Sequence, residues 1–283
     1  MKTVVKLKEF QKYPDFAFHI GTIAETEAAT PHSHDCVNLL IVTGGNELYT
    51  VGTDTFIAVP CSVYGASGSI IHHFNGKQKP QGYSILFDPA TLGSALEELI
   101  NIPAYNKVIP ENSNNEGDLS NFLLEPEPYE QITSLLQKLQ EEYNSSNATF
   151  VFIRALLIEL IVELCRCYID RKKKKPEVMN LLREDKSIFD TAINEKMLIS
   201  QMAAQSGVSE QHFRRLFHKV YGTSPLQHIH LRKVINAKKM ILENKYSITE
   251  IAMRCGFCNS SHMSRVFKKI EGMSPREYKK MYL

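Results

Sequence analysis

Arg215 and Arg265 stand fifty residues apart, in two stretches of the chain that repeat one another. Each has neighbours able to hydrogen-bond a base edge. Gln211, His212 and Arg214 flank the first; Ser260, Ser261, His262 and Ser264 flank the second. A guanidinium offers paired donors that match guanine O6 and N7, and a Gln amide matches adenine N6 and N7. Two such sets in register point to readout of the DNA major groove. A solvated helix face accounts for one set but not for a second copy at the same positions. Serine reads bases weakly, so Arg265 is expected to carry most of the second readout. A separate chemistry is available near the start. His32 and His34, two apart on an extended segment, share one face. With Tyr49 and His72 they are candidates for lining an effector pocket, and imidazole nitrogens at that spacing also suit a metal ion.

The repeat defines the elements that position the two arginines. Its first copy runs through Ile199, Met202 and Ala203, then Gly207-Val208-Ser209, then Phe213 to Phe217, then Gly222 and Ser224-Pro225. The second runs through Ile248, Ile251 and Ala252, then Gly256-Phe257, then Met263 to Phe267, then Gly272 and Ser274-Pro275. The offset is 49 residues up to the glycine and 50 after it, which places one extra residue near Cys258–Ser260. Each copy reads as a supporting helix, a glycine turn and a second helix, the layout of a helix-turn-helix. The buried stripe of the second helix is expected to be Phe213, Leu216, Phe217 and Val220 in one copy, and Met263, Val266, Phe267 and Ile270 in the other. Ser224-Pro225-Leu226-Gln227 is a capping box with proline at the first helical position. The helix it starts is expected to reach about Glu243, roughly 30 Å, close to one turn of B-DNA. Ser274-Pro275-Arg276-Glu277 repeats the box for a last helix.

Charge separates the chain into unlike halves. The whole carries +2, but residues 1–170 hold 10 Lys/Arg against 21 Asp/Glu, and residues 171–283 hold 23 against 10. A basic half suits a polyanion, and an acidic half suits another partner. With 43% apolar residues the chain can bury a sizeable core, and a disordered class is excluded. The first residues lack the apolar run of a secretory signal. The stretch 150–169 contains Arg154, Glu159, Glu163 and Arg166 and is too charged to span a bilayer. The six scattered cysteines resemble no disulfide framework, and a reduced, cytoplasmic protein is expected. Cys255-Gly-Phe-Cys258 falls across the second turn and is read as structural. Cys165 and Cys167 are read as packing residues.

Residues 1 to about 90 read as short strands punctuated by Gly, Pro and Asn: 37–42, 48–51, 55–59 and 83–87. Two amphipathic or apolar helices follow, 129–143 and 150–169. They suit either a cover for the strands or a dimer interface. Arg171-Lys-Lys-Lys-Lys-Pro176 marks a basic linker. The expected organisation is a sensory and dimerisation domain at 1–170, a linker at 171–186 and a DNA-binding domain at 187–283.

The long ordered pattern of residues 190–283 resembles the DNA-binding domain of the AraC/XylS transcription regulators. The resemblance implies seven helices, binding to double-stranded promoter DNA and recruitment of RNA polymerase, as in an activator. It implies base contacts from Gln211, Arg214, Arg215, Ser261, His262, Ser264 and Arg265. Pro31-His-Ser-His-Asp35 leading into a strand resembles the cupin-like sensory barrel common in those regulators. The expected fold is therefore α+β in two domains: a cupin-like β-barrel with helices, then an all-α tandem helix-turn-helix domain. Metal-holding cupins usually place a carboxylate a few residues after the second His. Asn38 occupies that position and is a poor ligand, so no metal or other cofactor is expected. A small effector and a homodimer through 129–169 remain as partners, and a membrane does not. Two other readings compete: a metal-dependent cupin enzyme with a DNA-binding tail, and a non-specific architectural DNA-binding protein.

Overall fold

The computed structural model describes residues 3–27, 30–52, 54–68, 70–75, 79–110, 120–170, 195–205, 207–221 and 223–283. The chain divides into two compact units, Met1–Lys174 and Lys175–Leu283. The expected linker at 171–186 lies outside the described residues.

Among its described residues the first unit has ten strands: β1 (Thr3–Val5), β2 (Phe18–Thr22), β3 (His32–His34), β4 (Val37–Gly44), β5 (Glu47–Val51), β6 (Asp54–Ala58), β7 (Ser62–Ser67), β8 (His72–Phe74), β9 (Gln81–Phe87) and β10 (Ser120–Leu123). They form two five-stranded sheets, ordered β1-β3-β8-β5-β6 and β10-β7-β4-β9-β2. The expected barrel is thus corrected. Among the described residues no hydrogen-bonded pairing joins the two sheets, and the unit is a sandwich. The alternation of β4 shows why its apolar run folds this way. Leu40 and Val42 point between the sheets, where Tyr49, Val51, Tyr64 and Phe74 meet them. Leu39 and Ile41 point to the opposite face. A strand covered on both sides reads as continuous apolar sequence.

That opposite face is covered by α4 (Pro126–Asn144) and α5 (Phe150–Asp170). Ile132, Leu136, Leu139 and Tyr143 of α4, and Ile153, Leu156, Leu157, Leu160, Ile161 and Leu164 of α5, are all buried in this core. Of the two roles open to these helices, covering the sheet is therefore filled. Among the described residues the unit also has three short α-helices, α1 (Ile23–Thr26), α2 (Ala95–Leu99) and α3 (Tyr105–Val108), and 3-10 turns at Leu7–Glu9 and Pro89–Leu92. The capping box of α1, Thr22 with Glu25, fixes where the chain leaves β2.

The second unit is all-α among the described residues: α6 (Glu195–Gln205), α7 (Glu210–Tyr221), α8 (Pro225–Glu243), α9 (Ile248–Arg254), α10 (Ser260–Glu271) and α11 (Pro275–Tyr282). Helix α8 packs against all five others. It begins where the sequence places it. Ser224 accepts from the Gln227 amide, and Gln227 returns a bond to the Ser224 amide. Nineteen residues at 1.5 Å each make it roughly 28 Å long. Asn244, in the left-handed region at φ 53°, ends it. Among the described residues, no helix is long and apolar enough to cross a membrane.

Candidate functional site

The two copies of the repeat make the same turn. In the first, Gly207 stands at φ 67°, its amide bonds Ala204 O at 3.0 Å, and the Val208 amide bonds Ala203 O at 3.1 Å. In the second, Gly256 stands at φ 70°, its amide bonds Met253 O at 3.0 Å, and the Phe257 amide bonds Ala252 O at 2.9 Å. This is the paired carbonyl capture of a left-handed helix end, which glycine meets without a steric penalty. The following helix is capped by Ser209 in one copy and Asn259 in the other, each accepting from the amide three residues on. The caps are 50 residues apart and the glycines 49. The single insertion therefore lies between glycine and cap.

Packing fixes which faces remain outside. Ile199, Met202, Ala203, Phe213 and Phe217 are buried in the first copy; Ile251, Ala252, Met263, Val266 and Phe267 are buried in the second. Leu216 and Ile270, expected in the stripes, are half-buried, and Val220 lies outside the side chains described. Gln211, His212 and Arg215 are exposed on α7, and Ser261 and Arg265 are exposed on α10. Ser260 and Ser264 are half-buried.

Two expected reading residues are engaged within the protein. The Arg214 guanidinium bonds Glu210, one turn earlier on α7, at 2.6 and 3.1 Å, and Glu210 also accepts from Ser200 at 2.8 Å. The His262 ring is half-buried, edge-on to Phe257 at 5.6 Å and to His230 of α8 at 5.8 Å. Sequence reading treated His262 as the twin of exposed His212. Phe257, which stands where the first copy has Val208, packs against it.

Charged contacts from α8 hold the second copy. Lys233 Nζ donates to Gly256 O at 2.5 Å and lies 5.4 Å from the centre of the Phe257 ring. Lys238 Nζ is 3.0 Å from both Glu271 oxygens, and both side chains are more than nine-tenths buried. Lys238 also sits 5.3 Å over the Tyr278 ring of α11. Burial first, then the nearby Glu271, pushes the Tyr278 hydroxyl well above the ordinary tyrosine range. Beside the first copy, His228 of α8 is buried edge-on to Phe217 at 5.5 Å. Burial first, then the nearby Arg232, pushes its pKa down to about 3.

In the first unit the candidate effector residues do converge. The β3–β8 pairing sets His32 opposite His72, and the rings of His32, His34 and His72 lie 4.7–5.1 Å apart, centre to centre. Tyr49 packs 5.9 Å from His72. All four are at most 2% exposed. Sequence reading missed the centre of the cluster, Glu27. It follows α1, is 2% exposed, and lies 3.4 Å from His32, 3.6 Å from His34 and 3.6 Å from His72. The expectation that Asn38 stands where a carboxylate is missing is corrected. Asn38 donates to Glu27 Oε1 at 2.7 Å and so orients the carboxylate it was thought to replace. Burial opposes ionisation of Glu27, but the three imidazoles outweigh it and hold its pKa well below the usual carboxylate range.

Residues 202–281 match a family described as a helix-turn-helix domain. Curated relatives extend over nearly the whole chain. The chain is 22% identical over 267 residues to the probable transcriptional regulator LumQ of Photobacterium leiognathi, covering 93% of this chain and 96% of LumQ. It is 21% identical over 256 residues to the transcriptional activator RhaR of Mannheimia succiniciproducens, covering 89% and 87%. Among solved structures, apo ToxT from Vibrio cholerae aligns over 94% of this chain and 98% of its own, at 14% identity and a TM-score of 0.36. The tandem helix-turn-helix unit thus defines a sequence-specific DNA-binding protein. The chain carries a sheet-rich N-terminal unit ahead of a helix-turn-helix DNA-binding domain, and along nearly its whole length it is similar to transcription regulators.

Proposed function

We propose that α7 and α10 enter two successive major-groove segments of one promoter duplex, held one helical turn apart by α8. The observation that carries this reading is the identical glycine turn in both copies, each followed by a capped helix with an exposed arginine at the same position. Gln211, His212 and Arg215 contact bases from α7. Ser260, Ser261, Ser264 and Arg265 do so from α10. Arg214 joins them when DNA draws it from Glu210, and His262 acts by setting the position of α10. The two reading faces differ in chemistry, so the half-sites differ in sequence, and the second is the less selective.

The N-terminal unit supplies control, through a small effector at His32, His34, Tyr49 and His72, or through dimerisation along 129–169, where Val151 is 75% exposed. Recruitment of RNA polymerase and a cytoplasmic setting complete the proposal; catalysis forms no part of it. Binding of the purified chain to a library of duplexes at rising salt tests the DNA reading. Affinity should fall through counterion release while the preferred sequence persists. Affinity that falls equally for all sequences, with no preferred site at any salt, is the behaviour of an architectural protein and would refute it.

A further inference from the structure

We propose that Glu27, His32, His34 and His72 bind one divalent first-row transition metal ion inside the sandwich of the first unit. The inference names a ligand class for the residues just assigned to effector control, and it rests on their placement in the fold.

The donor set comes from three separate places. Glu27 follows α1, His32 and His34 lie on β3, and His72 lies on the neighbouring β8. One donor atom from each lies within 4.8 Å of every other, and all four residues are buried. Backbone carbonyls fix two of the rings. His32 Nδ1 lies 2.8 Å from Thr30 O, and His72 Nδ1 lies 3.1 Å from Ile70 O. A carbonyl can only accept, so in the neutral rings Nδ1 carries the hydrogen and Nε2 presents a lone pair. Those lone pairs face the Glu27 carboxylate at 3.4 and 3.6 Å. Acceptor is thus turned toward acceptor in a dry interior, an arrangement that calls for a cation between them. The ring hydrogen of a metal-binding histidine is usually held in this way by a carbonyl or carboxylate.

Asn38 covers part of the need. Its amide donates to Glu27 Oε1 and lies 3.4 Å from His72 Nε2, and Ser84 donates to its oxygen at 3.3 Å. Glu27 Oε2, His32 Nε2 and both nitrogens of His34 have no hydrogen-bond partner among the described residues. A metal ion satisfies the first two and one nitrogen of His34 together.

The spacing selects the class of ion. Four ligands at about 2.0–2.1 Å around a tetrahedral centre stand roughly 3.3–3.4 Å from one another. The three Glu27–imidazole distances, 3.4, 3.6 and 3.6 Å, fall just outside that figure. Three imidazoles and one carboxylate suit zinc, iron, cobalt or nickel and not the oxygen-seeking magnesium or calcium. Four protein ligands close a tetrahedral shell, which fits a structural or sensing metal and not a hydrolytic one.

The test uses the full chain without DNA, so a negative result is separable from failure of the DNA reading. The chain is stripped with chelator, reconstituted with Zn²⁺ or Co²⁺, dialysed and assayed for metal content and visible cobalt absorption. One equivalent per chain and a tetrahedral cobalt spectrum are expected, with a thermal midpoint that rises on metal addition. His34→Ala and the near-isosteric Glu27→Gln should each weaken affinity by at least about a hundredfold. His73→Ala, next to His72 on β8, should leave it unchanged and controls for adventitious binding. A folded wild-type chain that takes up no metal, or uptake that survives both ligand variants, would overturn the proposal.

Discussion

The buried Lys238–Glu271 pair offers a quantitative test of how the second reading helix is held. Glu271→Gln removes the charge and keeps the shape. At 3.0 Å and an effective dielectric of about 20, the pair's attraction is roughly 5–6 kcal/mol, before the cost of taking both ions out of water. Removing one partner leaves the other charge buried. The expected loss is therefore about 3–5 kcal/mol, the usual cost of breaking a buried pair. It should appear locally, because the pair ties α8 to the C-terminal end of α10 and touches α11 through Tyr278. Hydrogen exchange on the full chain would read it as a more than hundredfold loss of protection in α10, if α10 opens as part of the unit that carries the pair. The double variant Lys238→Met with Glu271→Leu should recover most of that protection, since an apolar replacement leaves no buried charge. A Glu271→Gln chain with α10 protection within about threefold of wild type would refute the reasoning.

Two further outcomes follow from the same unit. His228 is neutral in the folded chain, with its pKa near 3, and protonates near 6.5 when unfolded. The unfolded chain therefore binds the extra proton between those values, and stability falls as pH drops below 6.5. By pH 5 this residue accounts for about 2 kcal/mol of lost stability. Thermal melts of His228→Leu should show a smaller drop between pH 7.5 and pH 5 than wild type, and an identical drop would contradict the assignment. Glu210→Gln should raise DNA affinity, because it removes a carboxylate from the reading helix and releases Arg214. Binding isotherms would show a lower Kd and a steeper salt dependence; a Kd unchanged or raised would mean that Glu210 serves to aim Arg214.

The DNA-binding half was legible because its signals are local. Glycine at a left-handed helix end, Ser-Pro capping boxes and a 3.6-residue apolar stripe each act within a few residues, and duplication presented every one twice. The single insertion was visible as a change of offset from 49 to 50, though the packing of Phe257 onto His262 was not. The partner that Arg214 takes within the protein is local as well. Glu210, four residues earlier, was available as its partner, and the arginine was weighed only for base contact. The first unit was less legible because its cluster is made by long-range pairing. His32 meets His72 through strand register across forty residues, and Glu27 reaches both from the end of a four-residue helix. Sequence spacing after the second histidine pointed to Asn38, whose role is to hold that distant carboxylate. The strands themselves were readable, but a sandwich and a barrel share the same alternation. Only the pairing pattern separates them.

The central claim is that Arg215 and Arg265 read different turns of one duplex. Footprinting of Arg215→Ala and Arg265→Ala on a selected operator tests it most directly. Each substitution should cost about 1–3 kcal/mol and relax base choice at its own position, the two positions lying about one helical turn apart. Two variants that alter the same base pairs, or that weaken all sequences equally, would contradict it.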